Sequence, residues 1–134
     1  MQSIIAPHAG AEDTALVFPL AIREHVDHFI VREAGLKVAC DLGPAARASF
    51  YFQEDKPYSG HADGAEWARA EKFASDNHLR EIIYETMPEA VVDLAFRHYL
   101  SQVDETYRQG VLGRAHGLMG QMGGSAPLDR VFRL

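Results

Sequence analysis

The chain has 134 residues, enough for one ordinary domain that buries a core without disulfides or a structural metal. Apolar residues make up 47% and charged residues 24%, which excludes the low-hydrophobicity, high-charge composition of a disordered chain. The net charge of −6 is uneven: Thr106 to Leu134 holds Arg108, Arg114, Arg130 and Arg133 against Asp129 alone, a net +3, which leaves −9 for Met1 to Glu105.

Four arginines spread over that tail, with no interleaved aromatics to stack bases, are too sparse for a nucleic-acid footprint, and the acidic body would repel a phosphate backbone. The single cysteine, Cys40, has no partner for an internal disulfide and sits in an apolar run, so a small buried side chain is expected there. Met1 to Gly10 lacks the basic start and apolar run of a signal peptide, and no stretch approaches the ~20 apolar residues that span a bilayer. Cytoplasmic residence without membrane association is the expectation.

In chain order, Ser3 to Ala6 is a short apolar run ended by Pro7, and His8 to Asp13 reads as a loop. Thr14 to Phe18 reads as a strand closed by Pro19. Ile22, Val26, Phe29 and Ile30 then fall on one helical face, with Gly35 placed as a C-cap. Leu36 to Leu42 alternates apolar and polar residues, as a half-buried strand does, and Gly43-Pro44 supplies a turn. With Ala48 to Gln53 returning, a hairpin is predicted at about residues 36–53.

Glu54 to Gly64 holds Pro57, Gly60 and Gly64 and reads as a surface connection. Asp63 stands three residues before Glu66, the spacing of a capping box that opens a helix carrying Trp67, Ala70, Phe73 and Ala74. Leu79 to Met87 fits a short helix or a strand. Thr86, Pro88 and Glu89 look like the start of the longest helix, with Thr86 as its cap. Pro127 followed by Leu128 to Leu134 reads as a last strand. The expected fold is α+β in one domain: a small, mostly antiparallel sheet of N-terminal strands, hairpin and C-terminal strand, packed with three to four helices. Its front half is rich in strand (1–56), its back half is helical (62–124), and a tail closes it (125–134).

One pattern stands out. Val92, Phe96, Tyr99, Val103 and Thr106 are spaced four, three, four and three, the seam of a helix packed along its length, and the count continues through Gly110, Gly113, Gly117, Gly120 and Gly124. Five helical glycines cost roughly 4 to 5 kcal/mol relative to alanine, so propensity favours Gly110 as a C-cap followed by a glycine-rich loop. If the helix nevertheless continues, the bare stripe admits a neighbour to backbone contact. No P-loop or dinucleotide fingerprint accompanies these glycines.

Candidate chemistry is thinner. His25 and His28, three apart on the expected first helix, and His61 with Asp63 near the Trp67 helix are the places where a transition metal would bind, but a third converging ligand is not evident, and no cofactor is expected. No Gly-x-Ser-x-Gly nucleophile elbow occurs. Glu81, Glu85, Asp93 and His98 are the candidate acid–base groups, and Tyr51, Tyr58, Trp67, Phe73 and Tyr99 would line a small-molecule pocket or fill the core.

The expected function is therefore that of a non-catalytic interaction protein, regulatory, accessory or part of an assembly. It would associate with itself or with a protein partner through Val92, Phe96, Tyr99, Val103, Gly110, Gly113, Gly117 and Gly120. The alternatives are a small enzyme or ligand-binding domain with a histidine–carboxylate site, and an acidic inhibitor of a basic partner.

Overall fold

The computed structural model describes residues 2–9, 11 and 13–134, the side chain of Gln2 excepted; Met1, Gly10 and Glu12, two of them in the expected His8 to Asp13 loop, lie outside the described residues. In chain order the elements are α1 (Gln2–Ile5), β1 (Leu16–Pro19), α2 (Val26–Leu42), α3 (Pro44–Arg47), β2 (Phe50–Gln53), α4 (Tyr58–His61), α5 (Gly64–Asp76), β3 (Arg80–Glu85), α6 (Pro88–His98), α7 (Glu105–Met122) and β4 (Leu128–Arg133). The strands form one mixed sheet in the order β1-β2-β4-β3, an α+β fold in which β1 and β2 run parallel and the other two pairings are antiparallel.

The expected hairpin does not form. Residues 36–42 continue α2, which buries Val38 and Ala39 and leaves Cys40 exposed. Alternation over seven residues is too short to overrule a helix already propagating from Val26, and Ala34, Leu36, Lys37 and Ala39 all favour its continuation. Gly35 is no cap: a Cβ there would lie 2.5 Å from the Phe18 ring, so the missing side chain lets α2 cross β1 at close range. The helix stops at Gly43, whose φ of +86° suits glycine and whose successor is proline. α2 thus serves as the crossover between two parallel strands.

The core lies on the sheet face carrying Phe18, Phe50, Phe52 and Phe132, covered by α2 and α5. The box at the start of α5 forms as expected, with Glu66 N–H donating to Asp63 and Asp63 N–H donating to Glu66, both at 2.8 Å. β3 resolves the ambiguous Leu79 to Met87 segment as an edge strand, and the C-terminal strand lies inside the sheet. Thr86 does not cap α6; its N–H donates to Pro127 and prolongs the β3–β4 ladder, leaving Met87 at the cap and Pro88 in the first turn.

The longest helix starts at Glu105, not near residue 88. α6 ends at Tyr99, a turn follows, and Asp104 accepts from Tyr107 N–H at 3.0 Å to open α7. α7 runs through Gly110, Gly113, Gly117 and Gly120, so the loop favoured by propensity is overturned. Gly123, in the left-handed region, and Gly124 close it: their N–H groups donate to Gly120 and Met119, the paired bonds of a Schellman ending. Among the described residues no helix is long and apolar enough to cross a membrane.

Candidate functional site

The break at Tyr99 divides the expected seam. Val92 is buried together with Val111, Ala115 and Leu118 of α7, and Phe96 lies beneath the Arg108 guanidinium, 5.2 Å from its ring. Gly110 is consumed inside the chain: a Cβ on it would sit 2.6 Å from the Pro57 carbonyl, and one on Gly60 would sit 2.0 Å from the Gly110 oxygen. Close backbone approach therefore occurs, between α4 and α7. Gly113, Gly117 and Gly120 have nothing within 4 Å of an added Cβ and lie on the open side of α7.

α6 is apolar on its outer side as well. Met87, Val91 and Leu94, spaced four and three, are 75%, 42% and 58% exposed, and Tyr99 and Leu100 follow at 58% and 72%. Met87, Ala90, Val91, Leu94 and Ala126 border a groove of about 750 Å³. Val103 is half-buried beside the end of this row.

The histidines separate. His25 and His28 remain neighbours on entry to α2, their rings 6.0 Å apart and both against Tyr58. His61 instead contacts the Thr106 carbonyl at 2.8 Å, and Asp63 is occupied in capping α5. Among the described residues no group of three or more His, Cys, Asp or Glu side chains is placed to hold a metal ion. His28 does meet a carboxylate that sequence reasoning passed over: its Nδ1 lies 3.2 Å from Asp55 Oδ1, while Asp55 Oδ2 accepts from Ile22 N–H at 2.8 Å. Burial pushes the Asp55 carboxyl above its ordinary value, against the opposing effects of the Ile22 N–H and of His28.

Glu54 was expected on a surface connection and is 2% exposed. Arg114 grips its carboxylate with two hydrogen bonds of 2.7 Å, and Arg130 donates a third at 2.6 Å while reaching Glu81 at 2.8 Å. Both guanidinium groups lie over the Trp67 ring, at 4.2 and 5.0 Å. Burial disfavours the Arg130 charge, and the Glu54 and Glu81 carboxylates outweigh it, so the group holds its proton more firmly than usual. Alongside, Asp129 pairs with Lys56 and accepts from the Tyr84 hydroxyl at 3.1 Å. Burial and the Asp129 carboxylate push the Tyr84 phenol up to about 12. Every donor aimed at Glu54 is answered, the condition under which a buried ionic cluster is tolerated. The cluster ties β2, β3, β4 and α7 together. It consumes Glu81, one of the candidate acid–base groups.

Of the aromatics, Tyr58 and Tyr99 share a cavity of about 440 Å³ with His28, whereas Trp67 and Phe73 pack on the core and Tyr51 lies under Arg133. His98 and Asp93 are exposed on α6, and Glu85 borders the groove. A usable signal was present: Glu54, Asp55 and Lys56 directly follow the strand Phe50–Gln53, where charges at a buried strand end must find partners. Compared with protein-family models, with curated proteins and with solved structures, the chain matches none.

Proposed function

We propose that the chain is a non-catalytic interaction protein, a regulatory or accessory factor or a component of a larger assembly, that associates through the outer face of α6 and the turn behind it. The observation that carries this reading is the row Met87, Val91, Leu94, Tyr99 and Leu100, left in water although the opposite side of α6 is already packed on α7. Single exposed apolar residues are ordinary, whereas a contiguous row beside an apolar groove marks a contact surface.

A second copy of the chain is the occupant these features favour. Glu89 is paired with His116 of α7 at 3.4 Å, whereas Met87, Val91 and Leu94 project from the opposite side of α6. Two copies related by a two-fold axis with antiparallel α6 helices lay the Met87, Val91 and Leu94 row of each along that of the other. Gly113, Gly117 and Gly120 offer a separate open surface on α7, and alanine there would crowd a close contact without touching α6. The test is solution mass by sedimentation equilibrium for the native chain and for Met87→Glu with Ala90→Glu. The native chain is expected to reach the mass of a dimer with rising concentration, and the variant to stay monomeric. A native chain that remains monomeric throughout would remove self-association, and an unaffected variant would remove α6 as its surface.

A further inference from the structure

The parallel pairing of β1 and β2 sends the segments that follow them out of the same edge of the sheet. His28, in the opening turns of α2 after β1, and Asp55, two residues past β2, meet there for that reason. The Asp55 side chain is 3% exposed and has both oxygens engaged, one by His28 and one by Ile22 N–H. The backbone around that N–H is unusual: Ala21, just before it, and Glu24, two residues after, have φ of +57° and +52°, and Ala21 is buried. Left-handed conformations at residues other than glycine persist only where the surroundings enforce them, and such strain gathers at functional sites.

The outcome is an imidazole with one nitrogen beside a buried carboxylate and the other without a hydrogen-bond partner among the described residues. His28 lines the cavity of about 440 Å³, a volume suited to a small organic molecule. Val91, Leu94, Ala95 and Val103 make much of its wall apolar, and Tyr58, Tyr99 and Tyr107 add aromatic surface. Gln102 and Lys56, whose ammonium is paired with Asp129, complete the lining. A simple tie between α2 and the loop needs only a neutral acceptor for Ile22 N–H. A carboxylate whose charge is penalised by burial does something an amide cannot: it stabilises an imidazolium formed when the outer nitrogen takes a proton.

We propose that His28 and Asp55 form a proton-accepting site that binds a small aromatic weak acid in this cavity, with the ring against the tyrosines and aliphatic side chains. The acidic O–H bond of the ligand breaks, its proton passes to His28 Nε2, and the electron pair stays on the ligand oxygen. The resulting imidazolium is balanced by Asp55, and the oxyanion lies in the cavity beside the imidazolium. No other reactant is needed. The groups facing His28 are Asp55, Lys56, Tyr58, Tyr99 and Tyr107 from the segments around it, and His25 from its own helix.

This site goes beyond the association through α6 but shares Val91, Leu94 and Tyr99 with it, so its test is run at concentrations where the chain is monomeric and is read by an optical signal that does not depend on solution mass. Para-nitrophenol, yellow only when ionised, is titrated with the native chain at a pH where the free phenol is mostly neutral. Binding is expected to raise the yellow absorbance. His28→Gln should abolish that rise and weaken binding about tenfold or more, the worth of a charge-assisted hydrogen bond. Asp55→Asn should diminish the rise. Val103→Trp fills the cavity without touching either group and should exclude the ligand, which keeps the test decisive if a substitution at His28 or Asp55 fails to fold. Absence of any colour change with the native chain, or equal binding by the native chain and Val103→Trp, overturns the proposal.

Discussion

Alanine in place of the α7 glycines tests whether the stripe is open surface or packed contact. Gly113, Gly117 and Gly120 are interior helical positions with free space where a Cβ would go. Each replacement should recover the helix-propensity difference of about 0.8 to 1 kcal/mol. Lacking shared contacts, the three should add, giving roughly 2.5 to 3 kcal/mol. For a chain of this length that corresponds to a rise in Tm of roughly 8 to 15 °C. Gly110→Ala has the same propensity gain and the opposite expected sign. Its Cβ would approach the Pro57 carbonyl to 2.6 Å and His61 Nε2 to 2.8 Å, so α4 and α7 must separate. Overpacking of this kind costs about 1 to 3 kcal/mol. Urea denaturation with an unchanged slope measures both. Destabilisation by the triple replacement, or stabilisation by Gly110→Ala, would refute this account of α7. Solution mass of the triple variant adds a second result: it stays that of the native assembly if α6 is the contact and falls if the glycine stripe is.

Glu54→Ala leaves the Arg114 and Arg130 guanidinium groups buried without their shared carboxylate, and a loss of about 3 to 5 kcal/mol in chemical denaturation is expected; a change under 1 kcal/mol would mean the cluster is solvated. Tyr84 ionises near pH 10 when unfolded and at about 12 when folded, so the stability it contributes is complete below pH 10 and lost as pH rises to about 12. An ultraviolet titration should show a late tyrosinate step missing from Tyr84→Phe, and a step of equal size in that variant would count against the Asp129 contact. The Asp55 carboxyl is raised in the fold, so the native protein binds its proton earlier than the unfolded chain on acidification. The native chain should therefore gain stability relative to Asp55→Asn as pH falls from neutrality toward the unfolded carboxyl value, a difference measurable by thermal unfolding across that range. A pH-independent difference would show that burial does not penalise this charge.

Features that depend on a few neighbouring residues were legible. The Asp63 and Glu66 box, Pro88 in a first turn and the strands around Phe18, Phe50 and Val131 formed near where local spacing put them. Misreadings arose where two periods fit the same letters. Residues 36–42 alternate and also complete a helix, and the tie is broken by the Phe18 ring lying under Gly35. The row from Val92 to Gly120 keeps one rhythm through two helices, because a turn at Tyr99 to Asp104 happens to preserve the count. Three of the aromatics proposed for a pocket were assigned elsewhere by the packing, and the two that line it share it with a histidine proposed for a metal.

By itself the sequence determined the α+β composition of the fold, most strand positions and the capping box at Asp63, since these follow from propensities and hydrogen bonds within a turn or two. Only the tertiary structure decided that α2 crosses between parallel strands, that Glu54 is buried between Arg114 and Arg130, and that Asp55 stands beside His28. Those partners are 60, 76 and 27 residues apart in the chain for Glu54 with Arg114, Glu54 with Arg130 and His28 with Asp55. No local period records such separations; the energy of taking charges out of water selects the partners once the strands have paired.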